Sequence, residues 1–128
     1  MRLWHQDLLP FLPRSQILGQ HRECCALRGM GWGKKHSTVD YVFNHSVKRL
    51  VDFHLLVLRE MEHRGYKPAQ PWYCPEYRGM NTQPWPFALP CEHYLSAEAL
   101  IYPEHDDAYR EECLANLRKK GIELFHLD

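Results

Sequence analysis

A chain of 128 residues, 45% hydrophobic and 25% charged, has room for one hydrophobic core and a composition unlike that of a disordered polymer. No apolar run approaches the ~18 residues of a membrane span, and the opening MRLWHQDLLPFLPR holds no apolar h-region, so neither membrane insertion nor secretion is expected. Five cysteines without a CxxC pair argue against a disulfide framework or a zinc ribbon and point to reduced thiols in the cytoplasm.

Net charge is zero, yet it is unevenly spread. Residues 1–50 carry eight Lys/Arg against three acids, and residues 51–128 carry eight against thirteen. Such asymmetry hints that one surface meets a polyanion while the other is merely solvated.

In chain order, the first predicted helix runs from Arg14 to Arg28, between Pro13 and Gly29, with Ile17, Leu18, His21, Cys25 and Leu27 as an irregular apolar side. His36 to Phe43 is a short helix or an extended approach to the second helix. That second helix is the clearest. Ser46 is a natural N-cap, and Val47, Leu50, Val51, His54, Leu55, Leu58 and Met61 recur at helical spacing. Gly65 follows where a left-handed C′ residue belongs.

Residues 68–90 hold six of the nine prolines together with Trp72, Tyr73, Tyr77, Trp85 and Phe87. Proline often breaks helices and central strands alike. The aromatics are expected to pin this loop onto the helices. The third helix begins near Asp106 or Asp107, turns Tyr109, Cys113, Leu114 and Leu117 inward, and stops at Gly121. No alternating strands and no repeats appear. The expected fold is therefore all-α, one domain over residues 1–128, with about three main helices and long ordered loops.

Among residues able to carry chemistry, Gly29 to Lys35 (GMGWGKK) lacks both nucleotide-binding fingerprints. Its glycines and lysines could still approach a phosphate backbone, or serve as a plain connector. His21, Cys24 and Cys25 lie within one turn, and Cys91 and His93 are two apart, but no familiar zinc spacing results, so no metal or other cofactor is expected. Arg22-Glu23 stands out. Its small or apolar flanks, Leu18, Gly19, Cys24, Cys25 and Ala26, could leave the carboxylate in a half-buried, Arg-lined notch, as an acid, a base or a stabiliser of positive charge.

Leu18-Gly19-Gln20-His21-Arg22-Glu23 resembles the first-helix motif of the phage-type pyrimidine-dimer DNA glycosylase family, also called endonuclease V. Gly33-Lys34-Lys35-His36 is similar to that family's entry to its second helix, and Met61 to Tyr66 (MEHRGY) to the exit. Glu76-Tyr77-Arg78-Gly79 and Tyr102-Pro103-Glu104-His105 resemble later motifs in the same order. The resemblance implies an all-α domain that clamps ultraviolet-damaged duplex DNA, cuts the glycosidic bond of a pyrimidine dimer and nicks at the abasic sugar. It implies an N-terminal α-amine as nucleophile and a helix Glu as the essential carboxylate.

Here these roles fall to the amine of Met1, retained because the bulky Arg2 follows it, and to Glu23, with Arg22 beside it. Arg2, Arg22, Arg28, Lys34, Lys35 and His36 are the expected DNA contacts. A monomer without cofactor, working on the DNA of a bacterial or phage-infected cell, completes the expectation. The alternatives are a non-catalytic DNA-binding module and a His/Cys metal protein.

Overall fold

The computed structural model describes residues 3–34, 40–85 and 100–124. Every regular element among them is helical, as expected: α1 (Arg14–Arg28), α2 (Val47–His63) and α3 (Asp107–Lys119), with short 3-10 helices at Gln6–Phe11, Asp40–Asn44 and Gln70–Tyr73.

The helix ends obey local chemistry. The Asp106 carboxylate caps α3 by accepting from the Tyr109 amide. At the far ends of α2 and α3, Gly65 and Gly121 sit at φ +87° and +79°. There the Tyr66 amide reaches back to the Met61 carbonyl, and the Ile122 amide to that of Leu117. These i to i−5 closures satisfy carbonyls that a helix end leaves open, and they need a left-handed residue that glycine supplies without strain.

The helical phase differs from the expected one in detail. On α1 the inward ridge is Ile17, Gln20, Cys24, Leu27 and Arg28, while Leu18, His21 and Cys25 lie half-buried on its flank. On α2, Phe53 and Val57 join the core, and Leu55 is half-buried. The segment before α1 was not expected to be regular. It forms a 3-10 helix whose Leu8 and Leu9 enter the core with Leu3, Trp4 and Leu12. Across it stand Leu50, Phe53, Val57 and Met61 of α2, then Cys113 and Leu117 of α3. Because apolar burial stabilises by ~25 cal/mol per Å², the N-terminal segment is structural rather than a tail.

Polar groups fasten that segment at both sides. The Trp4 amide donates to Gln20 Oε1 of α1 at 2.6 Å, and the Tyr109 hydroxyl donates to the Leu3 carbonyl. The Gln6 amide donates to Nδ1 of His105 at 3.3 Å, and Gln6 Oε1 accepts from the Ile101 amide at 2.8 Å. Since Nδ1 of His105 accepts, its proton sits on Nε2, 2.7 Å from the Tyr41 hydroxyl. His5, His105 and Tyr109 stack beside these bonds, with ring centres 5.4 and 5.1 Å apart along the series.

These histidines make the fold acid-sensitive. Burial pushes His105 down to about 3 and lowers His5, and burial with Arg28 nearby holds His54 well below its ordinary value. The unfolded chain, whose histidines titrate near 6.5, therefore binds more protons than the native one across the interval down to about pH 3. Stability is complete above pH ~6.5 and falls as pH drops, by up to about 1.4 kcal/mol per pH unit for each such histidine. Urea midpoints at pH 7.5 and pH 5 measure this; equal midpoints would show that the rings do not stay neutral when folded.

Candidate functional site

α1 presents three faces, each with its own chemistry. The inward face carries Gln20, the anchor of the N-terminal segment. Glu23 follows one turn later on the same side, half-buried, with Oε1 shielded from solvent. Arg22 points outward and is exposed. A Cβ built on Gly19 would stand only 3.7 Å from Nη2 of Arg22, so the guanidinium folds back over the bare glycine backbone. The carboxylate is thus half-buried, while the arginine is exposed beside Gly19.

Arg28 departs from expectation. It is fully buried, and its guanidinium is spent inside the protein. Nη1 donates to the Trp72 carbonyl at 2.9 Å, and Nη2 to those of Cys74 and Tyr77 at 2.7 and 2.8 Å. A contact from Arg28 to a DNA phosphate is thus replaced by a structural role. Arg78 returns the favour from the loop, donating to the Arg28 and Gly29 carbonyls at 2.8 and 3.0 Å. Arginine at a helix C-terminus satisfies the open carbonyls and complements the dipole. This two-way exchange docks the proline-rich loop, as its aromatics were expected to do. Trp72 lies over the Arg28 guanidinium at 5.1 Å, and Trp85 lies 4.6 Å from that of Arg78 and edge-on to Trp32.

The glycine segment is a turn rather than a phosphate cradle. The amides of Gly29, Gly31, Trp32 and Lys34 donate to carbonyls of Cys25, Ala26, Gly29 and Gly31, which turns those donors inward. Lys34 is exposed beyond it. Met1, Arg2, Lys35 and His36 lie outside the described residues.

On the other flank of α1, His21 and Cys25 face His54 of α2. Nη1 of Arg28 stands 3.0 Å from Nδ1 of His54. Arginine only donates, so Nδ1 accepts, the His54 proton sits on Nε2, and that proton points at Nδ1 of His21, 2.9 Å away. Trp72 walls the pair at 6.4 and 5.6 Å. Burial and the neighbouring arginines lower His21, and burial pushes the Cys25 thiol up to about 11. Without a bound group, all three side chains are neutral.

Sequence reasoning named Gln20 and Arg78 only as members of family-like motifs and His54 only on the inward spacing of α2, and gave none of them a role of its own. Gln20 had a legible signal, being polar at the phase shared by Ile17, Cys24 and Leu27. The motif around Arg78 did not reveal its role, because its partners are carbonyls about 50 positions away.

No helix among the described residues is long and apolar enough to cross a membrane. No curated protein and no solved structure matches the chain. Residues 1–74, which hold the N-terminal segment, α1 with Arg22 and Glu23, and all of α2, match the pyrimidine dimer DNA glycosylase family. That match spans more than half of the chain; the chain belongs to the pyrimidine dimer DNA glycosylase family.

Proposed function

We propose that the protein excises ultraviolet-damaged pyrimidines from duplex DNA and then nicks the abasic strand, using the α-amine of Met1 as nucleophile and Glu23 as the essential carboxylate. The observation that carries this reading is the bond from the Trp4 amide to Gln20. It ties the N-terminal segment to α1 three residues, about 4.5 Å along the axis, before Glu23. Three residues of chain span at most ~10 Å, so an amine at residue 1 is within reach of the carboxylate.

An α-amine is suited to the task. It titrates near 7.7–8.0, so roughly a tenth is free at pH 7, against well under ~0.1% of an ordinary lysine. Its nitrogen attacks C1′, and the base leaves with the electron pair of the glycosidic bond. The Glu23 carboxylate stabilises the cationic sugar that develops on the way. The aminal so formed gives up a nitrogen proton and opens the sugar ring, the C1′–O4′ bond breaking and O4′ leaving as a hydroxyl. The resulting iminium acidifies the C2′ protons, and loss of one expels the 3′ phosphate. A dimer, already weakly paired, lowers the cost of exposing C1′. Exposed Arg22 and Lys34, with Arg2, Lys35 and His36, supply the phosphate contacts.

Sodium borohydride reduces the iminium to a stable amine and is the direct test. A covalent adduct with abasic duplex is expected, and a larger yield with irradiated than with intact duplex. Salt-sensitive binding with no adduct and no nicking would select a DNA-binding module instead. Extending the chain before Met1, or acetylating its amine, should abolish trapping while sparing affinity, since each added residue moves the amine by several ångströms. Undiminished trapping by an extended protein would indicate an internal lysine as the nucleophile.

Binding has its own signature. Arg22→Ala and Lys34→Ala should each flatten the log–log salt dependence of DNA affinity by about one unit. Arg22→Ala should cost more affinity, because a guanidinium can engage phosphate in bidentate fashion. Unchanged slopes would place the DNA surface elsewhere.

A further inference from the structure

Three side chains that this chemistry does not use converge on the flank of α1 away from Glu23. His21 and Cys25 stand one turn apart on α1, His54 faces them from α2, and their ligand atoms all lie within 4.8 Å of one another. Nδ1 of His21 is 2.9 Å from Nε2 of His54, and Cys25 Sγ is 3.8 and 3.9 Å from those two nitrogens. Zinc–nitrogen bonds of about 2.05 Å and a zinc–sulfur bond of about 2.3 Å, set at tetrahedral angles, demand separations of about 3.4 Å and 3.6 Å. The two sulfur edges already match within about 0.3 Å, and the nitrogen edge has to open by about 0.5 Å.

We propose that His21, Cys25 and His54 bind a borderline-soft divalent cation of the zinc type, which clips α1 to α2 beside the Trp72 loop. One thiolate and two imidazoles are the donor set such an ion selects over magnesium or calcium. Three protein ligands leave a fourth position for water. Cys25 also lines a groove of about 350 Å³ with Ala26, Trp72, Arg78 and Asn81, which gives the ion a path in.

Proton balance is set by Arg28. The ion takes the place of the hydrogen-bonded proton between the two imidazoles. Loading therefore displaces two protons, one from the Cys25 thiol and one from Nε2 of His54. His54 becomes an imidazolate held between the ion and the guanidinium, and keeps the hydrogen bond from Arg28. A double positive charge enters as two protons leave, so the net charge of this buried cluster is unchanged.

The test is a Co²⁺ titration of the full chain without a His tag, followed by Zn²⁺ competition. The expected result is one ion per chain, intense visible bands of tetrahedral cobalt, a near-ultraviolet thiolate-to-cobalt band, and loss of all of them on adding Zn²⁺. Cys25→Ser should erase the thiolate band and weaken affinity by more than about 100-fold, the upper cost of losing a mere outer-shell partner. His21→Ala, a half-buried position, should weaken affinity as much and serves if the serine variant misfolds. Cys74→Ser, at an exposed free thiol, should match the parent. A spectroscopically silent titration of folded parent protein, a thiolate band that survives Cys25→Ser, or one that vanishes in Cys74→Ser overturns the proposal. None of these readouts depends on DNA or on the Met1 amine.

Discussion

Glu23→Gln is expected to lower single-turnover excision of a pyrimidine dimer by about 10²–10³, on the order of 3–4 kcal/mol of transition-state stabilisation. The substitution keeps shape and helix propensity but removes the negative charge that would face the cationic sugar. Glu23 is half-buried with Oε1 shielded, and a field in such a place is screened less than one in open water. Affinity for damaged duplex should hold or tighten, because a carboxylate near phosphates repels them. The measurement is excision on a dimer-containing oligonucleotide under enzyme excess, with a melting curve as control. A folded Glu23→Gln protein that excises at the parent rate would refute the catalytic role and leave Glu23 as a helix residue only.

Arg28→Ala should be the most destabilising single change, by about 3–5 kcal/mol. It withdraws the donors of three loop carbonyls, at Trp72, Cys74 and Tyr77, and the partner of His54 Nδ1. It also leaves a void where a fully buried side chain stood. Against a total stability of 5–15 kcal/mol for typical domains, such a loss is large, and the loop of Gln70–Tyr73 and its neighbours should exchange amide hydrogens first. Denaturant melts combined with hydrogen exchange measure both. An Arg28 whose work was done at a DNA phosphate would instead change the salt slope of binding and leave the melt untouched.

Much was legible in the order of residues. The ends of α1 at Pro13 and Gly29, the Gly65 exit of α2, and the Asp106 cap with the Gly121 stop of α3 all follow from groups that act within one or two turns. Ser46 does stand at the N-cap of α2, but without a side-chain capping bond. The family was legible too, as a resemblance carried by short motifs, the first of them holding Arg22 and Glu23. So was the loop of residues 68–90, whose described part is pinned by Trp72 and Trp85.

Other features depended on which distant groups meet. Arg28 reads as a basic residue at a helix end, equally apt for a phosphate or for a carbonyl. Only the approach of Trp72, Cys74 and Tyr77, more than forty positions away, decides that its donors turn inward. His21 and Cys25 show a one-turn spacing, but the third ligand atom comes from α2, so no local motif announces the cluster. The N-terminal segment looks like a tail because its anchors, Gln20, His105 and Tyr109, are spread over α1, the approach to α3 and α3 itself. Helix boundaries are set by neighbours along the chain, and this protein's sequence determined them by itself. Whether a polar side chain ends as a structural strut, a ligand or a DNA contact is set by desolvation and by partners that folding alone brings within 3 Å, and here the tertiary structure decided it.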